Sequence, residues 1–492
     1  MPPELPLQRN PVECAGMHEN LHRAMLPIGF LLFSIYILYG LVSRPGSASS
    51  YSYLGGLIFV EIVVAALWNY HRSLFPMLML VFLSAGTDTP LKGLGTSARW
   101  LVLAAGALVG FIIYMRGNHS FATIHLLGLF CIIAALVSAM VSNYPKLALL
   151  KTGSLLLVLL YGACGARLGV IGREAKFVAG LLWGCEIVVY FSAFEYFVLH
   201  EPFFGNPNSL GVVTGIVTTP VLLWGAIVSA GTRSYPRRIF ALLISVLLVL
   251  SSYSRAGIGA AVLSSVLLCL ATRHYRLLLK GGLIALAAAF LIAATVPLPD
   301  NHDVHTDTLV DVFLYKGKTE EGVFGSRQSP WTQTSAIIRA HPWFGSGFGT
   351  SITSIEGWQI DYAFQSTYGS LREHGNSYLE ILEWVGILGM VPFVLLIGTI
   401  AVNAARATAA LFRSADPMSP LAPITMILIA GLGHAAFEDW LFAPGYYMCV
   451  LFWALAFVQA DLLALAAPAV APRPRYPAFD VRGDYGVLSP GR

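Results

Sequence analysis

Residues 209–231 read SLGVVTGIVTTPVLLWGAIVSAG and contain no charged side chain. About 20 consecutive apolar residues are enough for a helix to cross the hydrocarbon core of a bilayer. The run therefore predicts a transmembrane helix. The chain as a whole shares this character, since 56% of its 492 residues are hydrophobic and only 11% are charged. This composition excludes a soluble multi-domain enzyme, and the unbroken apolar runs exclude a β-barrel, whose strands alternate.

Working outward from this run, we predict an all-α, polytopic membrane protein with about 14 (12–14) transmembrane helices. The apolar segments lie near 24–42, 54–70, 73–86, 99–115, 121–142, 150–168, 176–198, 209–231, 238–253, 256–272, 277–297, 378–402, 420–436 and 438–465. The first is expected to remain as a span, because no small-residue cleavage site follows it. The order predicts an N-terminal bundle (1–297), a large loop (298–374), C-terminal helices (375–465) and a tail (466–492).

The distribution of Lys and Arg predicts the orientation of these segments. With the N-terminus in the cytoplasm, 19 of the 30 basic residues fall on the cytoplasmic side, six in short outside loops and five in the large loop. Positive charge accumulates on the cytoplasmic side of membrane proteins. We therefore predict that both termini are cytoplasmic and that the large loop is outside.

The remaining composition excludes several other classes of site. A net charge of +4 gives no nucleic-acid footprint. The six cysteines have no metal-ligand spacing, and five of them lie within apolar runs, so neither a disulfide framework nor a zinc site is predicted. Three acidic residues inside predicted spans should face the bundle or a wet cavity, because charge is costly in lipid: Glu61, Glu186 and Glu195.

The large loop is the main irregularity in the pattern, because connections of this length are usually functional or disordered. Its aromatic residues, including Trp331 and Trp343, favour folding back onto the bundle. We predict a short amphipathic helix at about 329–340. The glycine-rich stretch 341–349 lacks the strand context of a phosphate loop and is interpreted as a sharp turn.

Two short motifs lie outside in this topology. The first, at 205–211, reads GNPNSLG, and Asn208 or Ser209 is expected to cap the helix that follows; a cap and a turn alone would also explain it. The second is Ser254-Arg255, in a very short connection between two spans. Arg255 is either an anion ligand or an arginine that snorkels to the membrane interface.

The end of the large loop reads Arg372-Glu373-His374-Gly375-Asn376 and leads directly into a span. A histidine in this place is either structural or a general base at neutral pH. Arginines on the same face favour the functional interpretation, since a guanidinium forms bidentate hydrogen bonds with a diphosphate. Glu380 and Glu383 follow on the helix and are expected to shape the cavity under the loop.

These motifs, taken in order, resemble the O-antigen ligase and polymerase superfamily of bacterial envelopes. The resemblance covers about 205–400 and depends on the sequence order of its parts, which are Asn206-Pro207-Asn208-Ser209-Leu210-Gly211, Ser254-Arg255-Ala256-Gly257, Arg327 with Trp331, Pro342 with Gly345, Gly347 and Gly349, His374 with Asn376-Ser377-Tyr378-Leu379-Glu380, and Gly386-Ile387-Leu388-Gly389.

The resemblance implies a metal-independent, inverting glycosyltransferase of the C-type membrane class without a cofactor, in the bacterial inner membrane, with a periplasmic active face. Its donor would be a glycan on undecaprenyl diphosphate. Arg255 and Arg327 would bind the diphosphate, and His374 would take the acceptor's proton. The family motif has the histidine directly before the asparagine, whereas Gly375 intervenes here, so Glu373 is an alternative base. We assign seven further residues to substrate binding: Asn206, Asn208, Ser254, Arg339, Trp331, Arg372 and Asn376.

Three functions remain open at this point. A ligase would move a finished polysaccharide to lipid A–core. A polymerase would move the growing chain onto a second lipid-linked repeat unit, for O-antigen or exopolysaccharide. A secondary transporter would instead show paired inverted repeats and polar groups near mid-membrane. The polar motifs cluster at one face, which favours an enzyme, and the ligase is slightly preferred over the polymerase.

Overall fold

The computed structural model describes residues 48–117, 121–201, 203–283, 325–350 and 374–466. Several predictions fall outside these ranges: the first span at 24–42, most of the span at 277–297, much of the large loop, and the tail after residue 466.

The described residues are mostly helical, and no strand is found among them, so the all-α prediction is confirmed for this part of the chain. In chain order the helices are α1 (Ala48–Ala65), α2 (Leu74–Ala85), α3 (Lys92–Arg116), α4 (Thr123–Val141), α5 (Pro145–Leu160), α6 (Ala166–Val170), α7 (Glu174–Phe194), α8 (Pro207–Val213), α9 (Thr219–Val228), α10 (Tyr235–Ser251), α11 (Arg255–Ala271), α12 (Gly325–Ala340), α13 (Ser377–Ser414), α14 (Leu421–His434) and α15 (Tyr447–Ala466). Single π-helical turns, Tyr161–Gly165 and Thr214–Thr218, join α5 to α6 and α8 to α9.

Seven helical stretches in the described ranges are long and apolar enough to cross a membrane. They are Lys92–Arg116, Thr123–Val141, Pro145–Val170, Glu174–Leu199, Pro207–Val228, Ser377–Ser414 and Tyr447–Ala466. Four shorter apolar helices of 10–17 residues correspond to other predicted spans: Leu54–Ala65, His71–Ala85, Arg255–Ala271 and Leu421–His434. The multi-pass character is thus supported, and the total of 14 spans stays a prediction.

The continuous stretch α8–α9 lies at the centre of the bundle, since 94% of its most apolar window is buried, against 28% for α13. Glycines allow this central stretch to cross α11 closely. A Cβ atom at Gly211 would overlap the Ser254 side chain, and one at Gly215 would overlap the Gly257 carbonyl. This crossing fixes the start of α11, and therefore Arg255, beside the 205–211 motif.

The predicted sharp turn at 341–349 is present, and Gly345, Gly347 and Gly349 all have positive φ. It packs against α13 at Gly386, where φ is 67° and ψ is −177° and the helical geometry is broken. The backbone N–H groups of Ile387 and Leu388 then donate to the carbonyls of Pro342 and Trp343, at 2.8 and 3.2 Å. A Cβ at Gly386 would lie 2.5 Å from the Gly345 nitrogen, so only glycine fits this crossing.

Two predicted elements of the C-terminal half can be compared directly with the structure. The amphipathic helix expected at 329–340 is confirmed as α12. The last span, expected at 438–465, was placed too early, because α14 ends at His434 and α15 begins only at Tyr447. Pro444-Gly445 and two consecutive acidic residues interrupt the apolar run and oppose helix formation. The intervening segment 435–446 is a set of turns, here called the return loop.

The return loop packs on the start of α13 at one end of the bundle, here called the site end, where the turn at 341–350 also packs on α13. Ser377, the first residue of α13, connects two of these parts. Its N–H donates to the Ala435 carbonyl at 2.9 Å, and its hydroxyl donates to the Glu438 carbonyl at 2.7 Å. On the other flank, the hydroxyls of Ser142 and Thr350 lie 3.0 Å apart. The site end is therefore held together by loop-to-helix hydrogen bonds.

Candidate active site

His374 lies in a buried charge cluster at the site end. Its Nε2 atom is 3.5 Å from Oε1 of Glu383, and its Nδ1 atom is 3.7 Å from Oε1 of Glu380 and 3.6 Å from Oδ2 of Asp439. Glu380 and Glu383 face the same side because they are three positions apart on α13. We call these four residues the site cluster. His374 is only 4% exposed, and three carboxylates surround it.

The backbone and an aromatic ring hold the histidine in place. The His374 N–H donates to Oδ2 of Asp439 at 2.7 Å. The indole ring of Trp384 meets the imidazole edge to face, with ring centres 5.8 Å apart. The return loop and α13 thus fix the position of the histidine together, since Asp439 belongs to the first and Trp384 to the second.

The site cluster also sets the protonation state of the histidine. Burial lowers the pKa of His374, but its hydrogen bonds to Asp439 and Glu383 and the charge of Glu380 outweigh burial and raise the pKa to about 9. Burial raises the pKa of Asp439, but the hydrogen bonds from His374 outweigh it and hold that pKa below its ordinary value. His374 is therefore an imidazolium at neutral pH. This environment does not favour the predicted role of a neutral histidine that accepts a proton directly.

Arg327 extends from α12 over the residue that follows His374. Its guanidinium forms an ion pair with Glu438 of the return loop. Gly375 has φ +61°, and a Cβ there would lie 2.9 Å from the Arg327 side chain. One helical turn further along α12, the Trp331 indole N–H donates to the Gly375 carbonyl at 3.3 Å. The predicted pair of Arg327 and Trp331 therefore packs directly on the His374 segment.

Arg255 is the first residue of α11, where the Ser254 hydroxyl caps the helix by accepting from the Gly257 N–H at 3.2 Å. Ser254 is buried and Arg255 is half-buried. The positive charge of Arg327 acts on Arg255, so the two guanidinium groups lie within electrostatic range of each other. Two cations brought close together are typical of a site for a doubly charged anion. We call Arg255 and Arg327 the arginine pair.

Sequence analysis missed the acidic residues of the return loop. Glu438 pairs with Arg327, and Asp439 pairs with His374. Both were placed inside the last predicted span. Two consecutive acidic residues in an apolar run are costly in lipid, and this cost was the signal that the run should be broken there.

Other predicted site residues have local structural roles. The N-cap of α8 is Asn206, which accepts from the Asn208 N–H at 2.8 Å, so the expectation that Asn208 or Ser209 caps the helix is wrong. The reason is Pro207, which occupies the first helical position. Asn376 caps α13 by accepting from the N–H groups of Tyr378 and Leu379, at 2.8 and 3.1 Å.

Three further predicted residues remain. Arg339 is exposed, and its Nε donates to the Ser335 carbonyl of its own helix at 3.2 Å. Arg372 and Glu373 lie outside the described residues. The role of Glu373 as an alternative base therefore stays a prediction.

The three acidic residues predicted inside spans differ from one another. Glu186 is buried, and its carboxylate lies 3.2 Å from Nε of Arg237 and 3.9 Å from Nε of Arg238. Glu195 is half-buried. Glu61 is exposed on the described surface, which does not support its facing the bundle and leaves the wet cavity as the remaining expectation.

Part of the site cluster also has the composition of a metal site. One potential ligand atom from each of His374, Glu380 and Asp439 lies within 4.8 Å of the others. A histidine must be neutral to bind a metal. An ion would therefore have to displace the proton that the carboxylates hold on the imidazole. The expectation that the reaction needs no metal stays a prediction.

Fold and site together define a class of protein. It is an α-helical, multi-pass membrane protein with a buried acid–base cluster and a pair of arginines at one end of its bundle.

Residues 240–394, about a third of the chain, match the family described as O-antigen ligase. The match covers α10 to the first part of α13 and so contains Arg255, Arg327 and His374. It confirms the resemblance to the O-antigen ligase and polymerase superfamily, a group of membrane enzymes that act on lipid-linked glycans. The 205–211 motif and the return loop lie outside the matched segment. No curated protein matches this chain.

Proposed function

We propose that this protein is an inverting, metal-independent glycosyltransferase of the bacterial inner membrane that takes its glycan from undecaprenyl diphosphate. The observation that supports this most directly is the arginine pair beside the site cluster. Departure of a diphosphate requires cations, and attack by a hydroxyl requires a proton acceptor. Both kinds of group lie together at the site end. The distribution of Lys and Arg supports placing this end at the periplasmic face.

In this proposal the arginine pair acts on the leaving group. Guanidinium groups form bidentate hydrogen bonds with phosphate oxygens and remain charged at any physiological pH. As the bond between the anomeric carbon and the diphosphate oxygen breaks, its electron pair stays on that oxygen. Arg255 and Arg327 stabilise the charge that develops there. Glu438 orients Arg327 through their ion pair.

The proton of the acceptor hydroxyl passes to the site cluster. Because His374 is already protonated, we assign the base to a carboxylate, and Asp439 has the most exposed side chain of the three, at 25%. The acceptor oxygen bonds to the anomeric carbon on the face opposite the diphosphate, which inverts the configuration, and its proton moves to Asp439. His374 is the fixed cation that orients Asp439 and balances the cluster.

We favour the ligase over the polymerase as the physiological activity, so that lipid A–core is the acceptor. The support is the family description, O-antigen ligase. A polymerase would use the same arginine pair and site cluster and a second lipid-linked repeat unit as acceptor. The transporter is the least favoured function, because the described acid–base groups meet at one end of the bundle.

The test is a reconstituted assay with purified protein, a glycan on undecaprenyl diphosphate, and EDTA. Each reaction receives either lipid A–core or a second lipid-linked repeat unit as acceptor. Product with lipid A–core and none with the repeat unit supports the ligase, and the reverse result supports the polymerase. Loss of all product on addition of EDTA, with recovery on addition of a divalent metal, would contradict the metal-independent mechanism. Arg255→Gln should be inactive with either acceptor.

A further inference from the structure

A second basic pair lies at the site end, on helices that precede the family-matched segment. Arg99 belongs to α3 and Lys151 to α5. Arg99 reaches the return loop, where its guanidinium donates to the Gly445 carbonyl at 2.7 Å. Lys151 packs against the turn at 341–350, because a Cβ at Gly349 would lie 2.9 Å from the Lys151 side chain. The two residues therefore border the same loops that build the site cluster.

The two cations of this second pair lie within electrostatic range of each other, and Lys151 also lies within range of the site cluster. The charges that act on Lys151 are those of Glu380, a cluster member, and Arg99. Arg327, by contrast, pairs with Glu438. The two sets of cations thus interact with different carboxylates, Glu438 for Arg327 and Glu380 for Lys151. Arg327 lies over Gly375 on one flank, and Lys151 lies against the turn at 341–350 on the other.

The second pair retains hydrogen-bonding capacity. The Nε atom of Arg99 is buried and has no hydrogen-bond partner among the described residues. Lys151 is exposed, and no carboxylate of the described chain lies within ion-pair distance of its ammonium group. Lys92, a neighbouring cation on α3, differs because it is paired with Asp88 at 2.5 Å. Two cations that repel each other, neither of them in an ion pair with a described carboxylate, are arranged to receive an anion.

We propose that Arg99 and Lys151 bind a phosphoryl group of the acceptor. This inference rests on the proposed function, in which two substrates must meet at the site cluster. The arginine pair is assigned to the donor diphosphate, so the acceptor approaches from the other flank. A phosphoryl group held by Arg99 and Lys151 places a neighbouring hydroxyl of the same molecule beside Glu380 and Asp439, where it can lose its proton.

The test compares the double variant Arg99→Gln/Lys151→Gln with a matched control, Arg116→Gln/Lys146→Gln. The control removes the same two charges from the same two helices at exposed positions. We expect the double variant to raise the KM for a phosphorylated acceptor by about tenfold or more, as loss of charge-assisted hydrogen bonds does. The donor KM and kcat should stay within about twofold of the wild type. The control should match the wild type in all three.

A second arm removes the phosphate instead of the cations. With the wild type, phosphatase-treated lipid A–core should have a raised KM. This KM should equal the KM of the untreated acceptor with the double variant. Treatment of the acceptor should not raise the KM of the double variant any further. If treatment raises the KM equally in both proteins, or if the double variant changes only the donor KM, the proposal is wrong. Arg99→Lys/Lys151→Arg keeps both charges and should recover most of the acceptor affinity, which separates a binding role from a folding role.

The source of the phosphoryl group is distinguished by changing the acceptor and the bilayer. If the double variant has a raised KM for phosphorylated lipid A–core, the pair binds a phosphate of the core. If it has a raised KM for a second lipid-linked repeat unit, the pair binds the diphosphate of that unit. If activity instead follows the content of phosphatidylglycerol in the vesicles, with either acceptor, the pair binds a bilayer headgroup and the proposal is overturned. If the wild type forms no product with any acceptor, the proposed function itself fails, which is a separate outcome.

Discussion

Among the residues that the structure describes, titratable side chains are buried in two clusters, which differ in how far their members reach solvent. The site cluster has three carboxylates and one imidazolium. A second cluster between α7 and the start of α10, here called the hairpin cluster, has one carboxylate, Glu186, and two guanidinium groups, Arg237 and Arg238. In the hairpin cluster the extra charge reaches solvent, because the Arg237 side chain is 52% exposed. In the site cluster the side chains of Glu380 and Glu383 are 5% and 0% exposed.

The difference distinguishes a structural ion pair from the proposed active site. The hairpin cluster is formed by residues on packed helices, and its excess cation is solvated. The site cluster is assembled by a loop and a helix start, and its two glutamate side chains are enclosed in the interior. A buried excess charge is costly unless a proton, a ligand or a neighbouring cation balances it. The arginine pair and the second basic pair flank this cluster, whereas both cations of the hairpin cluster are paired with Glu186.

The largest expected effect tests whether the two kinds of arginine differ in function. Arg327→Gln should lower kcat/KM by about 100-fold or more, as loss of a group that stabilises a leaving anion does. Arg238→Gln should lower the melting temperature, because Glu186 loses a buried partner, and leave kcat/KM per folded molecule near the wild type. Both are measured on detergent-purified protein after size exclusion. If Arg327→Gln and Arg238→Gln are both well folded and lose kcat/KM equally, the two kinds of arginine do not differ in function.

The second prediction concerns the pH dependence of stability. Folding raises the pKa of His374 from its ordinary value of 6.5 to about 9. The folded state therefore binds this proton more tightly than the unfolded state. The stabilisation is fully present below about pH 6.5 and is lost as the pH rises through about 9, and it amounts to on the order of 3 kcal/mol. Thermal unfolding of the wild type between pH 6 and pH 10 should show this loss.

His374→Gln is the control for that measurement, since it cannot titrate and should flatten the pH dependence. The activity profile then separates the two possible roles of His374. If the histidine is the fixed cation, activity falls as the pH rises through about 9. If it is the base, activity rises over the same interval, because the neutral form accumulates. A rising profile would return the base to His374 and contradict the assignment to Asp439.

Much of this architecture was accessible from the sequence, and the parts that were not have a common cause. The amphipathic helix α12 and the turn at 341–350 follow from local signals, which are apolar periodicity and glycine spacing. The return loop depends on Glu438 and Asp439, whose partners are 111 and 65 residues away. Hydropathy averaged over a window ignores such pairing, and the apolar neighbours of the two acids extended the predicted span across them.

The candidate site was predicted to a similar extent. Arg255, Arg327 and His374 were identified from the sequence. In the structure, the close crossing at Gly211 positions Arg255, and the contact at Gly375 positions Arg327 over the His374 segment. The charge state of His374 was not predictable, because it depends on how many carboxylates the fold collects around one ring. Sequence spacing places Glu380 and Glu383 on one helix face, but it gives no information about Asp439.

The third prediction uses two glycines to test how the site end is held. Gly375→Ala places a methyl group against Arg327 and requires a left-handed backbone, with φ +61°. The backbone alone should cost about 1–2 kcal/mol, and the displaced Arg327 should reduce kcat. Gly398→Ala on α13 is the matched control, since a Cβ there meets nothing within 4 Å. It should be neutral or slightly stabilising. Unchanged kcat in Gly375→Ala would show that the position of Arg327 over Gly375 does not matter.

The smallest expected effect concerns the motif at 205–211, where capping and substrate binding are competing roles. Asn206 is exposed, and its side chain satisfies the Asn208 N–H at the start of α8. Asn206→Ala should therefore lower the free energy of unfolding by about 1 kcal/mol, as the loss of an N-cap does. Asn206→Ser preserves a capping oxygen and should recover most of that loss, whereas Asn208→Ala leaves the cap intact and should be near neutral. Thermal unfolding and donor KM are measured together for all three variants. A rise in donor KM for Asn206→Ala that Asn206→Ser does not reverse would mean that the amide contacts the substrate, and the site would then extend beyond the arginine pair to the start of α8.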